Sequence, residues 1–127
     1  MKTFVNPKDL CQIEILAKEI ETSLAFYREV FGWHRSPVEI HNYVVLDVPS
    51  DCPFGIALIP DRGGVSARSL STLYFSVDNP EYIASLADKH GGKLVFGPKK
   101  LPGYGTIFQI EDPNGQRFGL FAKPANS

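Results

Sequence analysis

The sequence predicts an α+β domain made of two tandem modules, each running strand, helix and three strands. Two observations carry that prediction. A strand-like period of two gives way to a helical period twice, in the same order both times. The glycines that end the predicted helices, Gly32 and Gly91, also stand about 60 residues apart, the same interval that separates Gln12 and Thr72 at matching points of the leading strands. Each half is too short to bury its own sheet face, so the two halves must pack together. The whole chain, 1–127, therefore reads as a single domain, with module one at about 8–62 and module two at about 68–124.

Residues 10–18 alternate polar and apolar through Gln12, Ile13, Glu14 and Ile15, the pattern of a half-buried strand. From Thr22 to Phe31 the period changes. Leu24, Tyr27, Val30 and Phe31 form one stripe of an amphipathic helix, which Thr22 or Ser23 can cap and Gly32 can end. Strands follow at about 33–38, 42–48 and 55–60, the last two separated by the turn chemistry of Pro49 to Pro53. The Gly- and Ser-rich stretch 61–70 is the one plausible internal linker. Leu70 to Val77 begins the order again. Asn79 is placed to cap a second helix, with Pro80 at its first position and Tyr82, Ile83, Leu86 and Ala87 as its buried stripe. His90 falls in its last turn, where the helix dipole favours a cation, and Gly91-Gly92 end it. Strands are then expected at about 93–96, 105–110 and 116–122, the last two joined by the turn Asp112-Pro113-Asn114-Gly115.

Composition narrows the function classes. Hydrophobic residues at 43% and charged ones at 21% suit a globular chain, and nine Phe, five Tyr and one Trp supply core bulk. Thirteen basic against fourteen acidic residues leave a formal charge of -1, without the footprint of a nucleic-acid binder or a polybasic membrane segment. No apolar stretch approaches the roughly 18 residues of a membrane span. The first nine residues lack the apolar core of a secretory signal, so a cytoplasmic protein is expected. Cys11 and Cys52 are isolated, outside any CxxC spacing; Cys11 reads as a small buried hydrophobe and Cys52 as a turn residue.

Three runs carry a family resemblance. They are Ser23 through Phe26, Tyr27, Val30 and Phe31 to Trp33; Phe75 to Asn79; and Gly105 through Asp112, Pro113, Asn114 and Gly115 to Phe121. In that order they resemble the vicinal oxygen chelate superfamily, which includes glyoxalase I, extradiol dioxygenases and bleomycin resistance proteins. The loop Leu101-Pro102-Gly103-Tyr104-Gly105 and the ending Gly119-Leu120-Phe121 look like the subgroup of predicted lactoylglutathione lyase relatives. The resemblance implies two modules whose curled mixed sheet surrounds a concave cleft, commonly as a homodimer. One fold hosts many reactions, so it speaks more to architecture than to chemistry.

Metal-dependent relatives hold a divalent ion with four side chains, from the first and last strand of each module. The matching positions here are Gln12, Ala57, Thr72 and Gly119. A methyl group and a hydrogen cannot ligate, and neither Glu, Asp nor His lies within two residues of Ala57 or Gly119. The metal site is therefore read as degenerate, and no cofactor is expected.

Glu14 keeps chemistry open. Two residues after Gln12, it shares Gln12's strand face, which the resemblance turns toward the cleft. A carboxylate desolvated there by aromatics suits general base or general acid work, or it accepts hydrogen bonds and fixes the sheet. By the same alternation Thr72, Tyr74 and Ser76, then Arg117, Gly119 and Phe121, face inward, and Tyr43 joins them. Arg117 either meets an anionic ligand group or pairs with Glu14. His34 and His41 flank one hairpin and, lacking a third ligand, read as surface groups. Residues 96–105 form either a lid presenting Lys99 and Lys100 or a proline-stiffened solvated loop.

Two function classes follow, with a third behind them. The first is a metal-free protein that binds a small organic molecule in an aromatic-lined cleft through Gln12, Tyr43, Thr72, Tyr74, Arg117 and Phe121. The second is a lyase- or isomerase-type enzyme with Glu14 as general base, metal-independent or with an atypical metal site. The third is an interaction domain without a ligand.

Overall fold

The computed structural model describes residues 4–60 and 71–124; the expected linker 61–70 and the start of the strand expected from Leu70 lie outside them. The described residues fall into two compact units, one within Gln12–Ser71 and the other within Thr72–Ser127 together with the N-terminal segment up to Cys11. Each unit carries a four-stranded mixed sheet and one α-helix, the α+β class that the hydrophobic periods predict.

In module one the strands are β1 (Leu10–Ala17), β2 (Arg35–Ile40), β3 (Tyr43–Leu46) and β4 (Gly55–Pro60), with helix α1 (Ile20–Phe26) after β1. Their order is β2-β3-β4-β1, antiparallel except that β4 returns parallel to β1. The period of two sorts β1 cleanly. Ile15 and Ala17 join Leu46, Leu58, Val44 and Ile56 in a core closed by Leu24, Ile20, Tyr27 and Trp33. Leu58 is wholly buried there, and burying such a side chain is worth about 1.5–3 kcal/mol.

Helix α1 departs from its sequence reading at both ends. It starts at Ile20, so Thr22 and Ser23 lie inside its first turn and cap nothing. Glu19 occupies the cap position without a side-chain cap bond, and the Thr22 hydroxyl donates to its carboxylate at 3.3 Å. At the other end α1 runs into a π-helical turn, Tyr27–Phe31, before Gly32 ends it at φ +73°. The wider turn carries Val30 and Phe31 off the buried stripe, leaving them 58% and 52% exposed. Tyr27 and Leu24 stay on the core.

Module two repeats the order with β5 (Ser71–Ser76), α2 (Pro80–Lys89), β6 (Lys93–Leu101), β7 (Gly105–Glu111) and β8 (Arg117–Ala122), arranged β5-β8-β7-β6. Again the last strand returns parallel to the first. Val77, Phe108 and Leu120 form its core with Phe75, Ile83, Ile110 and Val5. Helix α2 starts as expected, with Pro80 in the first turn and the Asn79 side chain accepting from the Tyr82 amide at 3.3 Å. Its most buried members are Pro80 and Ala84, while Tyr82 is half exposed and packs edge-on against Phe4.

One further expectation is corrected. Residues 96–101 are neither lid nor loop, since β6 runs on to Leu101, pairing Lys99 with Ile107 and Lys100 with Thr106 around two irregularities. The irregularities break the alternation, which hid the strand from a period count. His34 and His41 are both exposed beyond opposite ends of β2, in keeping with their reading as surface groups.

Candidate functional site

In each module the helix covers one sheet face, and residues paired across the ladder share a face. The opposite face of module one carries Gln12 beside Gly55, then Glu14 beside Ala57, which in turn faces Val45. Glu14 is buried, 8% exposed, in register with Ala57. Gln12 crosses toward β3, where its Nε2 donates to the Tyr43 hydroxyl at 2.8 Å. Gly55 makes that path possible, because a Cβ there would strike Gln12 Oε1.

Module two answers with the same parts exchanged. Tyr74 on β5 pairs with Gly119 on β8, and Gly119 pairs with Gln109 on β7. The Tyr74 ring lies flat across Gly119, since a Cβ built on that glycine would fall inside the ring. Its hydroxyl ends at Gln109, whose Nε2 donates to it at 2.6 Å. Tyr74 is 4% exposed. Phe96 of β6 completes this row beyond Gln109.

The rows on either side differ in character. On one side Arg117 pairs with Glu111, Nη2 to Oε2 at 3.1 Å, both side chains largely buried. Lys93 lies on the far side of Glu111. On the other side the row runs Ser76, Phe121, Ile107 and Lys99, two apolar residues between a hydroxyl and an ammonium. Thr72 is buried at the start of the face. The arrangement offers phenol, amide and guanidinium groups on an aromatic floor, suited to hydrogen-bonding a small organic molecule.

The metal positions can be tested on this geometry. Ala57 is wholly buried and presents a methyl group, and the space above Gly119 holds the Tyr74 ring. Gln12 and Thr72 leave one amide oxygen and one hydroxyl as donors. That set does not fit a divalent metal, which calls for three or four His, carboxylate or thiolate ligands.

The structure therefore joins Gln12 to Tyr43 within module one, and sets Tyr74, Gly119, Arg117 and Phe121 on one face of module two. Sequence reasoning missed Gln109 and Glu111. Both alternate correctly along β7, but their strand faces the site only through its register with β8, which the sequence does not display. Cys11 is half-buried with its thiol against the Tyr74 carbonyl at 3.5 Å, and burial pushes that thiol up from its ordinary pKa. Such a thiol is a poor nucleophile.

A duplicated βαβββ order, each copy closed by a parallel pairing of its first and last strands, defines a two-module α+β class. Residues 10–120 match the model of the Glyoxalase/Bleomycin resistance protein/Dioxygenase superfamily, and the chain belongs to that superfamily. Over 115 residues it is 33% identical to a Mycobacterium tuberculosis protein named "Putative glyoxylase CFP32", matching 88% of this chain and 42% of that one. It is 24% identical to the anthracycline biosynthesis protein DnrV of Streptomyces peucetius, matching 83% and 43%. The chain thus spans less than half the length of these curated relatives. Among solved structures it resembles the methylmalonyl-CoA epimerase of Mycobacterium tuberculosis, with a TM-score of 0.65, 17% identity and 99% and 93% of the two chains covered. A superfamily member from Vibrio splendidus 12B01 gives a TM-score of 0.63 at 16% identity, covering 87% and 96%. At those identities the likeness is one of fold. Among the described residues no helix is long and apolar enough to cross a membrane.

Proposed function

We propose that this chain binds a small organic molecule against its helix-free, aromatic-lined sheet faces, without the metal that some of its relatives use. The observation that carries the reading is the pair of phenol–amide contacts, Gln12 with Tyr43 and Gln109 with Tyr74, each built over a glycine. Such groups orient a carbonyl- or hydroxyl-bearing ligand, while Phe121 and Phe96 supply apolar area. The names of the curated relatives, a glyoxylase and an anthracycline biosynthesis protein, support an organic ligand. We read the protein as cytoplasmic, and its near-neutral formal charge of -1 supports a reading with neither nucleic acid nor an anionic membrane surface as partner.

Burial of Glu14 favours one second reading, an enzyme of the lyase or isomerase type with Glu14 as general base. A carboxylate only 8% exposed is largely withdrawn from water, as such a base requires.

Calorimetric titration with a panel of neutral aromatic carbonyl compounds tests both. At least one compound is expected to bind, and Gln109→Leu to weaken it about tenfold, the loss of one or two hydrogen bonds. Binding indifferent to both Gln109→Leu and Gln12→Leu overturns the site. With Glu14→Gln, binding of the neutral compound persists; if the wild type also turns that compound over and the variant does not, the enzyme reading stands, and turnover that survives the change ends it.

A further inference from the structure

The helix-free face of module two gathers positive charge in a chain whose formal charge is -1. Among the described residues, its three rows across β5, β8, β7 and β6 hold three cations, Arg117, Lys93 and Lys99, against the carboxylate of Glu111. The face thus keeps a surplus of two positive charges. Arg117 and Lys93 lie on one side of the row of Tyr74, Gly119, Gln109 and Phe96, and Lys99 lies on the other. A face so charged draws an anion toward the phenol–amide contact.

The three cations are not equivalent. Lys93 and Lys99 stand exposed on the edge strand β6, where water and salt screen them. The Arg117 side chain is only 21% exposed, and Glu111, 14% exposed, holds its Nη2 at 3.1 Å. That bond fixes the guanidinium beside the site, and a guanidinium fork is the geometry that a carboxylate matches. Glu111 also cancels one of the two positive charges in its row. The single charge that is left complements a carboxylate better than a doubly charged phosphate.

The spacing of the rows sets the shape of the ligand. Arg117 stands two residues before Gly119 on β8, and Gly119 pairs with both Tyr74 and Gln109. Two strand residues span about 7 Å, so an acid group at Arg117 lies one row from the group that the phenol and amide hold. Phe96, Phe121 and Ile107 supply apolar area for a ring.

Resting on the binding reading above, we propose that the ligand of module two is an organic acid, its carboxylate seated on Arg117 and its carbonyl or hydroxyl on the Tyr74–Gln109 contact.

Calorimetric titration with β-benzoylpropionate and with its uncharged methyl ester tests it. The acid is expected to bind about tenfold more tightly than the ester, a lead that shrinks as salt is added. The double variant Arg117→Gln/Glu111→Gln keeps the net charge of the face but lacks the guanidinium, and there the lead should vanish. Lys99→Gln should weaken the acid about twofold, whereas Lys89→Gln, the same charge change on the exposed side of α2, should leave it as it was. Far-ultraviolet circular dichroism checks that each variant is folded. An acid that binds no more tightly than the ester overturns the proposal, and so does a lead that survives in the folded double variant. Should the double variant not fold, equal effects of Lys99→Gln and Lys89→Gln overturn it instead. Gln109→Leu separates the two readings. If acid and ester bind equally and both weaken in Gln109→Leu, only the acid seat is lost; if both ignore Gln109→Leu and Gln12→Leu, the binding reading itself falls.

Discussion

Modules one and two reach the same local device by opposite assignments. In module one the leading strand supplies the amide, Gln12, and the third strand the phenol, Tyr43. In module two the leading strand supplies the phenol, Tyr74, and the third strand the amide, Gln109. In both, the group from the leading strand passes over a glycine of the closing strand, Gly55 or Gly119. What survives duplication is therefore the hydrogen bond and the shelf beneath it, while the residues at the two ends are interchangeable. The exchange has a cost in rigidity. A tyrosine ring over glycine fills its space permanently, whereas a glutamine amide over glycine can swing aside.

That difference gives the sharpest test. Gly119→Ala drives a methyl group into the Tyr74 ring and should cost about 3 kcal/mol, read as a fall in the urea midpoint. Gly55→Ala displaces only the end of Gln12 and should cost about 1 kcal/mol, the value of its bond to Tyr43. Equal costs would erase the distinction between a rigid and a yielding shelf.

A smaller effect is expected from the hydroxyls. Tyr74→Phe removes a buried hydroxyl from the half-buried Gln109 amide and should cost about 1–2 kcal/mol, while Tyr43→Phe, at a half-buried ring, should cost about 0.5–1 kcal/mol, both by chemical denaturation. The reverse order would mean that module one holds the tighter site.

Least in energy is the thiol beside Tyr74. Burial raises the Cys11 pKa in the folded state, so its contribution to stability is complete below the unfolded thiol value and is lost as pH rises through the folded one. Alkylation of native Cys11 should accelerate only at pH above the range of the denatured chain, as mass spectrometry of the labelled peptide would record. Equal pH profiles for the native and denatured protein would contradict it.

Much of the fold was legible in the residues. Period changes at Thr22 and Asn79, with Gly32 and the Asn79-Pro80 start, marked both helices. The alternation of Thr72, Tyr74 and Ser76 marked the site face of β5. What could not be read has a common physical cause, dependence on partners remote in sequence. Phe31 sits at a helical spacing from Leu24 and Tyr27, yet the π-helical turn moves it outward. Lys99 and Lys100 lie in a Pro- and Gly-rich run that reads as a loop until β7 pairs with it. Gln109 and Glu111 were invisible as site residues because only the register against Gly119 and Arg117 turns them to that face. The helix cap at Thr22 failed for a local reason. Ile20 and Glu21 precede it and continue the helix, which begins at Ile20 with Glu19 at the cap position.

The parallel return of β4 onto β1, and of β8 onto β5, bears on how a ribosome must deliver this chain. Gln12 has no shelf until Gly55 has been synthesised, and Tyr74 none until Gly119 has. In the interval the leading strand of each module lacks its closing neighbour, and only the helix and the antiparallel hairpins can form. Each half can therefore close only once its last strand has been made. A synthesis arrested before Arg117 leaves Tyr74 with nothing to lie upon.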